Sequence, residues 1–240
     1  MYKTKFWNQD GNSLSIYPKN TTVHWCGTDN LTAFNKNKPT GYSEDSISYS
    51  FNDLGFRCEN YHEGNNYILV SGCSHTMGIG IPYEHTWPAQ LQQEFFPDFK
   101  IYNAAKGAAS NDYIVRSVYQ LLPIVKPKIV MVAWTHRPRY ELVSYGVVQA
   151  MLPTSLNFSK EHVDESFQNY RFDKNQIFLK LLCKQHNIIL VNMEWEEIVK
   201  EGSQDHYDVG RDQQHGGRKF NKFVSTQFYK KYQNLVEHLQ

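Results

Sequence analysis

Residues 67–80 read Tyr67-Ile-Leu-Val-Ser-Gly-Cys-Ser-His-Thr-Met-Gly-Ile-Gly80. A short apolar run that ends in glycine has the character of a strand buried on both faces, and such strands belong to parallel sheets. The pattern recurs downstream. Lys100-Ile-Tyr-Asn-Ala104 predicts a second strand, and Ile188-Ile-Leu-Val-Asn-Met193 a fourth. Between them Lys128-Ile-Val-Met-Val-Ala-Trp134 predicts a third, strongly apolar and therefore central. Helical stretches separate these strands. Thr86-Trp-Pro-Ala-Gln-Leu91 opens with a cap residue and carries proline in its first turn. Ser110 to Val125 puts Ile114, Val115, Val118, Leu121, Leu122 and Val125 on one face, with Pro123 expected to fray the last turn. Gln176 to His186 predicts a helix with Ile177, Leu181 and Leu182 inward. A last helix carries Phe220, Phe223, Val224, Phe228, Tyr232, Leu235, Val236 and Leu239 at helical spacing. Strands that alternate with helices imply an α/β fold, a parallel sheet covered on both faces.

The remaining segments are less regular. Residues 1–66 are rich in Asn, Gly, Ser, Thr and aromatics, and only Ser46–Phe51 alternates like a strand. They are expected to form an N-terminal extension packed on a main domain of residues 67–240. Residues 140–170 have weak periodicity and are expected to be an insertion above the sheet. A chain of 240 residues suits one α/β domain with such additions.

Charge excludes several function classes. With 25 basic and 24 acidic residues the net charge is +1, and no basic stripe stands out. Nucleic acid and membrane surfaces are therefore not expected partners. No apolar run of about 18 residues exists and the N-terminus lacks the apolar core of a signal peptide, so a cytoplasmic setting is expected. The four cysteines form no CxxC pair, which fits a reduced compartment and argues against a zinc site. Ten histidines include no HExxH or comparable ligand pair, so no metal site is expected.

In parallel sheets the chemistry gathers at the carboxyl ends of the strands. Four stretches lie there: Gly72–Gly80, Ala105–Asp112, Thr135–Arg139 and Met193 onward. The first is not a Walker A loop, since no Gly-Lys-Ser/Thr follows. Nor is it a G-x-S-x-G elbow, since Thr76 occupies the second glycine position. Ser74, directly after a buried strand, can still present its hydroxyl and its N–H to a substrate. Its structural alternative is to cap the next helix. Cys73 is expected to face the core. Near the other end, Asp212-Gln-Gln-His215 sets an acid three residues before an imidazole. On one turn the acid can accept from the ring nitrogen that faces away from a serine. The alternative is a solvated polar turn. Arg137 and Arg139, beside His136, follow the central strand and can hold a substrate carboxylate or phosphate.

Together Gly72-Cys73-Ser74 and Asp212-x-x-His215 resemble the first and last blocks of the SGNH (GDSL-type) hydrolase family. Asn103-Ala-Ala-Lys-Gly-Ala-Ala-Ser-Asn-Asp112 is similar to its second block, and Asn52-Asp-Leu-Gly-Phe-Arg57 to a run that precedes the first block in many members. The resemblance covers roughly residues 46–240. It implies a three-layer α/β/α sandwich with a flavodoxin-like parallel sheet and a serine esterase without a cofactor. It implies Ser74 as nucleophile, His215 as base and Asp212 as the residue that orients it. It also implies an oxyanion hole from the backbone of Ser74 and of Gly107 or Ala108. Where the third block normally carries Asn this chain has Thr135, with Asn111 as a substitute donor. Acyl esters, including O-acetyl groups on glycans, are the implied substrates. Two alternatives stand beside this. One is a non-catalytic glycan-binding or assembly protein, an oligomer or a virion component. The other is an acyltransferase on the same three residues.

Overall fold

A computed structural model describes residues 17–144, 147–151, 164–202 and 207–237. The chain begins with a short strand, β1 (Thr21–Val23), a helix, α1 (Leu31–Asn37), and a second strand, β2 (Tyr49–Phe51), which pairs antiparallel with β1. Asn30 starts α1 by accepting from the Ala33 N–H. β2 is shorter than the alternation from Ser46 predicts. Residues Glu44–Ser46 turn as a 3-10 helix, because Ser43 and Ser46 cap it reciprocally.

The regular part follows: β3 (Tyr67–Ser71), the single-turn α2 (Ser74–Met77), α3 (Trp87–Phe95), β4 (Lys100–Asn103), α4 (Asn111–Val125) and β5 (Ile129–Trp134). An antiparallel hairpin of β6 (Tyr140–Ser144) and β7 (Val147–Met151) comes next, then α5 (Glu165–Gln185), β8 (Ile189–Glu194), α6 (Trp195–Gly202) and α7 (Arg218–Glu237). The central sheet has the order β4-β3-β5-β8 and is parallel throughout. Counted along the chain this is 2-1-3-4, the flavodoxin-like arrangement, and the order reverses at β3.

Alternation along the strands builds two cores. Leu69, Val130, Val132 and Trp134 pack on α4 and α5 through Ile114, Val118, Leu121, Leu179 and Leu182. Ile68, Val70, Met131 and Ala133 point the other way, onto Trp87, Leu91, Trp195, Ile198, Phe220, Val224 and Phe228 of α3, α6 and α7. Each fully buried Val, Leu, Ile, Phe or Met among them contributes about 1.5–3 kcal/mol. Among the described residues, no helix is long and apolar enough to cross a membrane.

Two expectations need correction, and one helix has no counterpart in the sequence reading. Pro123 does not fray α4. The helix runs to Val125, where a left-handed Lys126 returns its N–H to the Leu122 carbonyl. Proline removes one hydrogen bond there, but Leu122 and Val125 are buried and hold the last turn. α5 starts eleven residues earlier than Gln176, capped by Asp164. Its buried side is Phe172, Asn175, Leu179, Leu182 and Cys183, while Ile177 and Leu181 are 59% and 60% exposed. At about 100° per residue both lie about 160° around the helix from Leu179. Finally, α6 is not visible in the sequence, because only Trp195, Ile198 and Gly202 of its eight residues are buried. Of the last helix, Phe220, Val224 and Phe228 are buried and Leu235 is exposed; Leu239 lies outside the described residues.

The N-terminal segment is tied to the loop after β3. Arg57 is buried on the Tyr49 ring and donates to the carbonyls of Ser48, Met77, Gly78 and Ile81. Ile47, Tyr49 and Phe51 pack with Met77, Ile79 and Ala105 in a third apolar cluster.

Candidate active site

Ser74 follows β3 at the point where the strand order reverses. The chain turns sharply at Gly72, where a Cβ would come 2.2 Å from the Thr76 hydroxyl oxygen. Cys73, buried against the core, occupies the cap position of α2, so Ser74 is the first helical residue and does not serve as the cap. Asn103, at the end of β4, fixes α2 by donating to the Thr76 carbonyl.

The second part of the site is a tight turn. Val209 bridges Gly216, the Gly210 N–H reaches the His215 carbonyl at 2.8 Å, and Gln213 adopts a left-handed conformation. The turn folds His215 back over Asp212. The His215 Nδ1 lies 2.5 Å from Asp212 Oδ2, and its Nε2 lies 2.8 Å from the Ser74 hydroxyl. All three residues are buried. Asp212 Oδ1 accepts from the N–H groups of Gln214 and His215. Burial alone would raise the Asp212 pKa, but the His215 bond and charge, with help from Thr28, pull it down to about 2. Gly80 is required beside this carboxylate: its φ is +83°, and a Cβ would sit 2.6 Å from Asp212 Oδ1.

Two contributors escaped sequence reading. Thr28 donates to Asp212 Oδ2 at 2.6 Å from 184 positions away. Its loop is anchored by the neighbour of Asp212: the buried Arg211 grips Asp29 through two 2.8 Å bonds and donates to the carbonyls of His24, Ser43 and Glu44. Arg211 also stacks on Trp25. No local motif announces either contact, because a threonine in a polar loop has no distinguishing neighbours. The other contributor is His75. Its ring stacks on Trp195 at 4.4 Å and lies 4.5 Å from the ring of His215. Burial first, then the nearby His215, His136 and Arg139, hold the His75 pKa well below its usual 6.5. It is therefore a neutral platform for His215.

The other expected site residues are placed less simply. The Gly107 N–H donates to the Tyr17 hydroxyl at 3.1 Å. The Ala108 N–H has no hydrogen-bond partner among the described residues, and Ala108 takes a left-handed φ of 56° that favours glycine. Ala108, and not Gly107, thus keeps a free donor. Asn111 is bonded to the backbone of Thr135. Its amide donates to the Thr135 carbonyl at 3.0 Å and its oxygen accepts from the Thr135 N–H at 2.9 Å. Asn111 therefore splints β5's exit to the start of α4. Thr135 is buried, and its hydroxyl oxygen accepts from Arg139 at 3.0 Å. Arg137 is paired with Glu194 and bonded to Asn169, and His136 is bonded to Glu196.

No family model matches the chain, and no curated protein matches it. Solved structures do align with it. A psychrotrophic esterase, EstA from Pseudoalteromonas sp., is 13% identical with a TM-score of 0.48, covering 72% of this chain and 100% of that one. A member of the lipolytic protein G-D-S-L family from Veillonella parvula is 10% identical with a TM-score of 0.38, covering 68% and 96%. An acetyl xylan esterase, AlAXEase, is 13% identical with a TM-score of 0.37, covering 68% and 98%. At these values the likeness carries no functional weight, which rests instead on the hydrogen-bonded chain from Ser74 through His215 to Asp212.

Proposed function

We propose that this protein is an SGNH-type serine esterase. The observation that carries the reading is the continuous path Ser74 Oγ–His215 Nε2 at 2.8 Å and His215 Nδ1–Asp212 Oδ2 at 2.5 Å. A serine hydroxyl is a poor nucleophile until a base takes its proton in the transition state. In this reading Ser74 Oγ attacks the ester carbonyl as its proton passes to His215 Nε2. The ionised Asp212 stabilises the imidazolium and fixes the tautomer that leaves Nε2 free to accept. The tetrahedral oxyanion receives the N–H of Ser74, whose place at the start of α2 leaves it without a helical acceptor, and the N–H of Ala108. The Thr135 hydroxyl, whose oxygen already accepts from Arg139, directs its own proton there. Collapse of the intermediate expels the alcohol, which takes the proton from His215. Water then repeats the sequence and releases the acid.

Acyl esters are the substrate class, O-acetylated glycans among them. The test is turnover of short p-nitrophenyl esters by the wild type and by Ser74→Ala. Turnover in the first and its loss in the second is the expected result. Equal rates in both would remove Ser74 from the chemistry, and no turnover in either would favour a binding role for the same fold.

A further inference from the structure

α5 is apolar on two opposite sides. One side, with Phe172, Leu179, Leu182 and Cys183, packs into the core. On the other, Tyr170 is 64% exposed, Leu181 60%, Ile177 59% and Phe178 40%. Of the ten large apolar side chains that are exposed among the described residues, five lie on this one helix, Phe167 being the fifth. A helix on the surface of a monomer turns polar residues outward. Exposed apolar residues scattered singly need no explanation, but a stripe of them along one helix marks an interaction surface. The stripe has a period. Tyr170, Lys174, Ile177 and Leu181 are spaced by four, three and four residues, the spacing of a seam along which two helices pack. It lies opposite Phe172 and Leu179, which are buried and seven residues apart. Phe178 flanks the seam with its ring against that of Tyr119, 6.4 Å between centroids.

The charges beside the seam say what covers it. Asp173 and Lys180 stand on the same flank, seven residues apart, and both are exposed. Arg171, on the other flank, is already paired with Asp112. A second copy of α5 can be laid antiparallel on the first, about a two-fold axis at the level of Asn175 and Gln176. That sets Tyr170 against the partner's Leu181 and Lys174 against the partner's Ile177. It also brings Asp173 beside the partner's Lys180 and, by symmetry, Lys180 beside the partner's Asp173. Lys174 can lay its aliphatic stem along the partner's Ile177 and keep its ammonium in water. A parallel pair fails on the same residues: it sets Lys174 on the partner's Lys174 and turns Asp173 towards the partner's Phe178. The charge pattern of the helix is thus complementary to itself in the antiparallel arrangement and not in the parallel one.

We propose that the outer face of α5 is the interface of a two-fold symmetric dimer, in which the helix packs antiparallel on its copy. The inference does not depend on the chemistry at Ser74. Sedimentation velocity of the full chain over about 1–100 µM reads the equilibrium, and a concentration-dependent dimer is expected. Ile177→Lys changes an exposed position and sets Lys174 against a second lysine, so Kd should rise about a hundredfold. Asp173→Lys and Lys180→Asp each place like charges face to face twice in the dimer, and each alone should raise Kd about tenfold. The double variant Asp173→Lys/Lys180→Asp restores both pairs with their signs exchanged. Its Kd should return to within about threefold of the wild type, a rescue that requires a second copy in the antiparallel register. The charge exchange tests the proposal even if Ile177→Lys fails to fold. A wild type that stays monomeric at every concentration, a dimer indifferent to Ile177→Lys, or two charge reversals that add instead of cancelling would each overturn it.

Discussion

The turn that carries Asp212 and His215 and the loops that carry Ala108 and Thr135 both meet the loop of Ser74, and they are built differently. On the turn, every polar atom of the carboxylate is engaged: Thr28, Gln214, and the backbone N–H and ring Nδ1 of His215 converge on it, and Arg211 pins the N-terminal segment alongside. On the loops, one backbone N–H is taken by Tyr17, the nearest amide side chain is taken by the backbone of Thr135, and the Ala108 N–H has no partner among the described residues. One half is fixed before any substrate arrives. The other is left for the substrate to complete. The turn supplies the base and its acid and the loops supply the oxyanion donors Ala108 and Thr135, so both halves should act on kcat.

This contrast can be broken at several points. Removing the acid of the rigid half should have the largest effect. Asp212→Asn keeps the size of the side chain but loses the charge and favours the wrong tautomer, so kcat should fall on the order of 10³–10⁴-fold. A variant within tenfold of the wild type in steady-state assays would show that His215 needs no acid. Next comes Thr135→Val. If its hydroxyl is an oxyanion donor, kcat should drop by roughly 10²-fold with KM held. A change confined to KM would instead assign Thr135 to ground-state binding.

Thr28→Val should cost less, about tenfold in kcat, the equivalent of one lost hydrogen bond of about 1.4 kcal/mol. It also has a pH signature. Asp212 is held at about 2 against its usual 3.8, so its contribution to stability is in place above pH 3.8 and is lost as pH falls towards 2. Without Thr28 the folded pKa rises and that contribution shrinks, which urea unfolding at pH 7 and pH 3 will read. Thr28→Ser should restore both. The smallest effect on rate belongs to His75→Phe, which keeps a flat ring beside His215 and should leave kcat within about threefold. Its signature is also in stability. A neutral buried imidazole must take a proton on unfolding below its usual 6.5, so the wild type loses stability as pH falls through that value, by at most about 1.4 kcal/mol per unit. The phenylalanine variant should lose less between pH 7.5 and pH 5. An unchanged slope would remove His75 as the group responsible.

The two halves also differ in how far they can be read from the chain. The apolar runs at 67–71 and 129–134 disclose a sheet because a strand buried on both faces needs a continuous apolar stretch, and they place Ser74 at the carboxyl end of its strands. Asp212 and His215 are legible because their partnership is local, three residues on one turn. Thr28 is not, since its contact spans 184 positions and nothing about a lone threonine points to a distant carboxylate. Lys106 hides for another reason: a lysine in a loop looks solvated until the Tyr113 ring is found beneath it. The bonds of Asn111 to the backbone of Thr135 are not legible either, since they span 24 positions. Ile177 and Leu181 are apolar residues that lie on the outer side of α5, which composition alone does not disclose.

The central claim is that His215 and Asp212 activate Ser74 as a nucleophile. It is tested most directly by treating the full chain with a fluorophosphonate probe and mapping the adduct by mass spectrometry. Stoichiometric modification of Ser74, absent in Ser74→Ala and strongly slowed in Asp212→Asn, is the expected result. An unlabelled Ser74, or labelling at the same rate when Asp212 is neutralised, would contradict it.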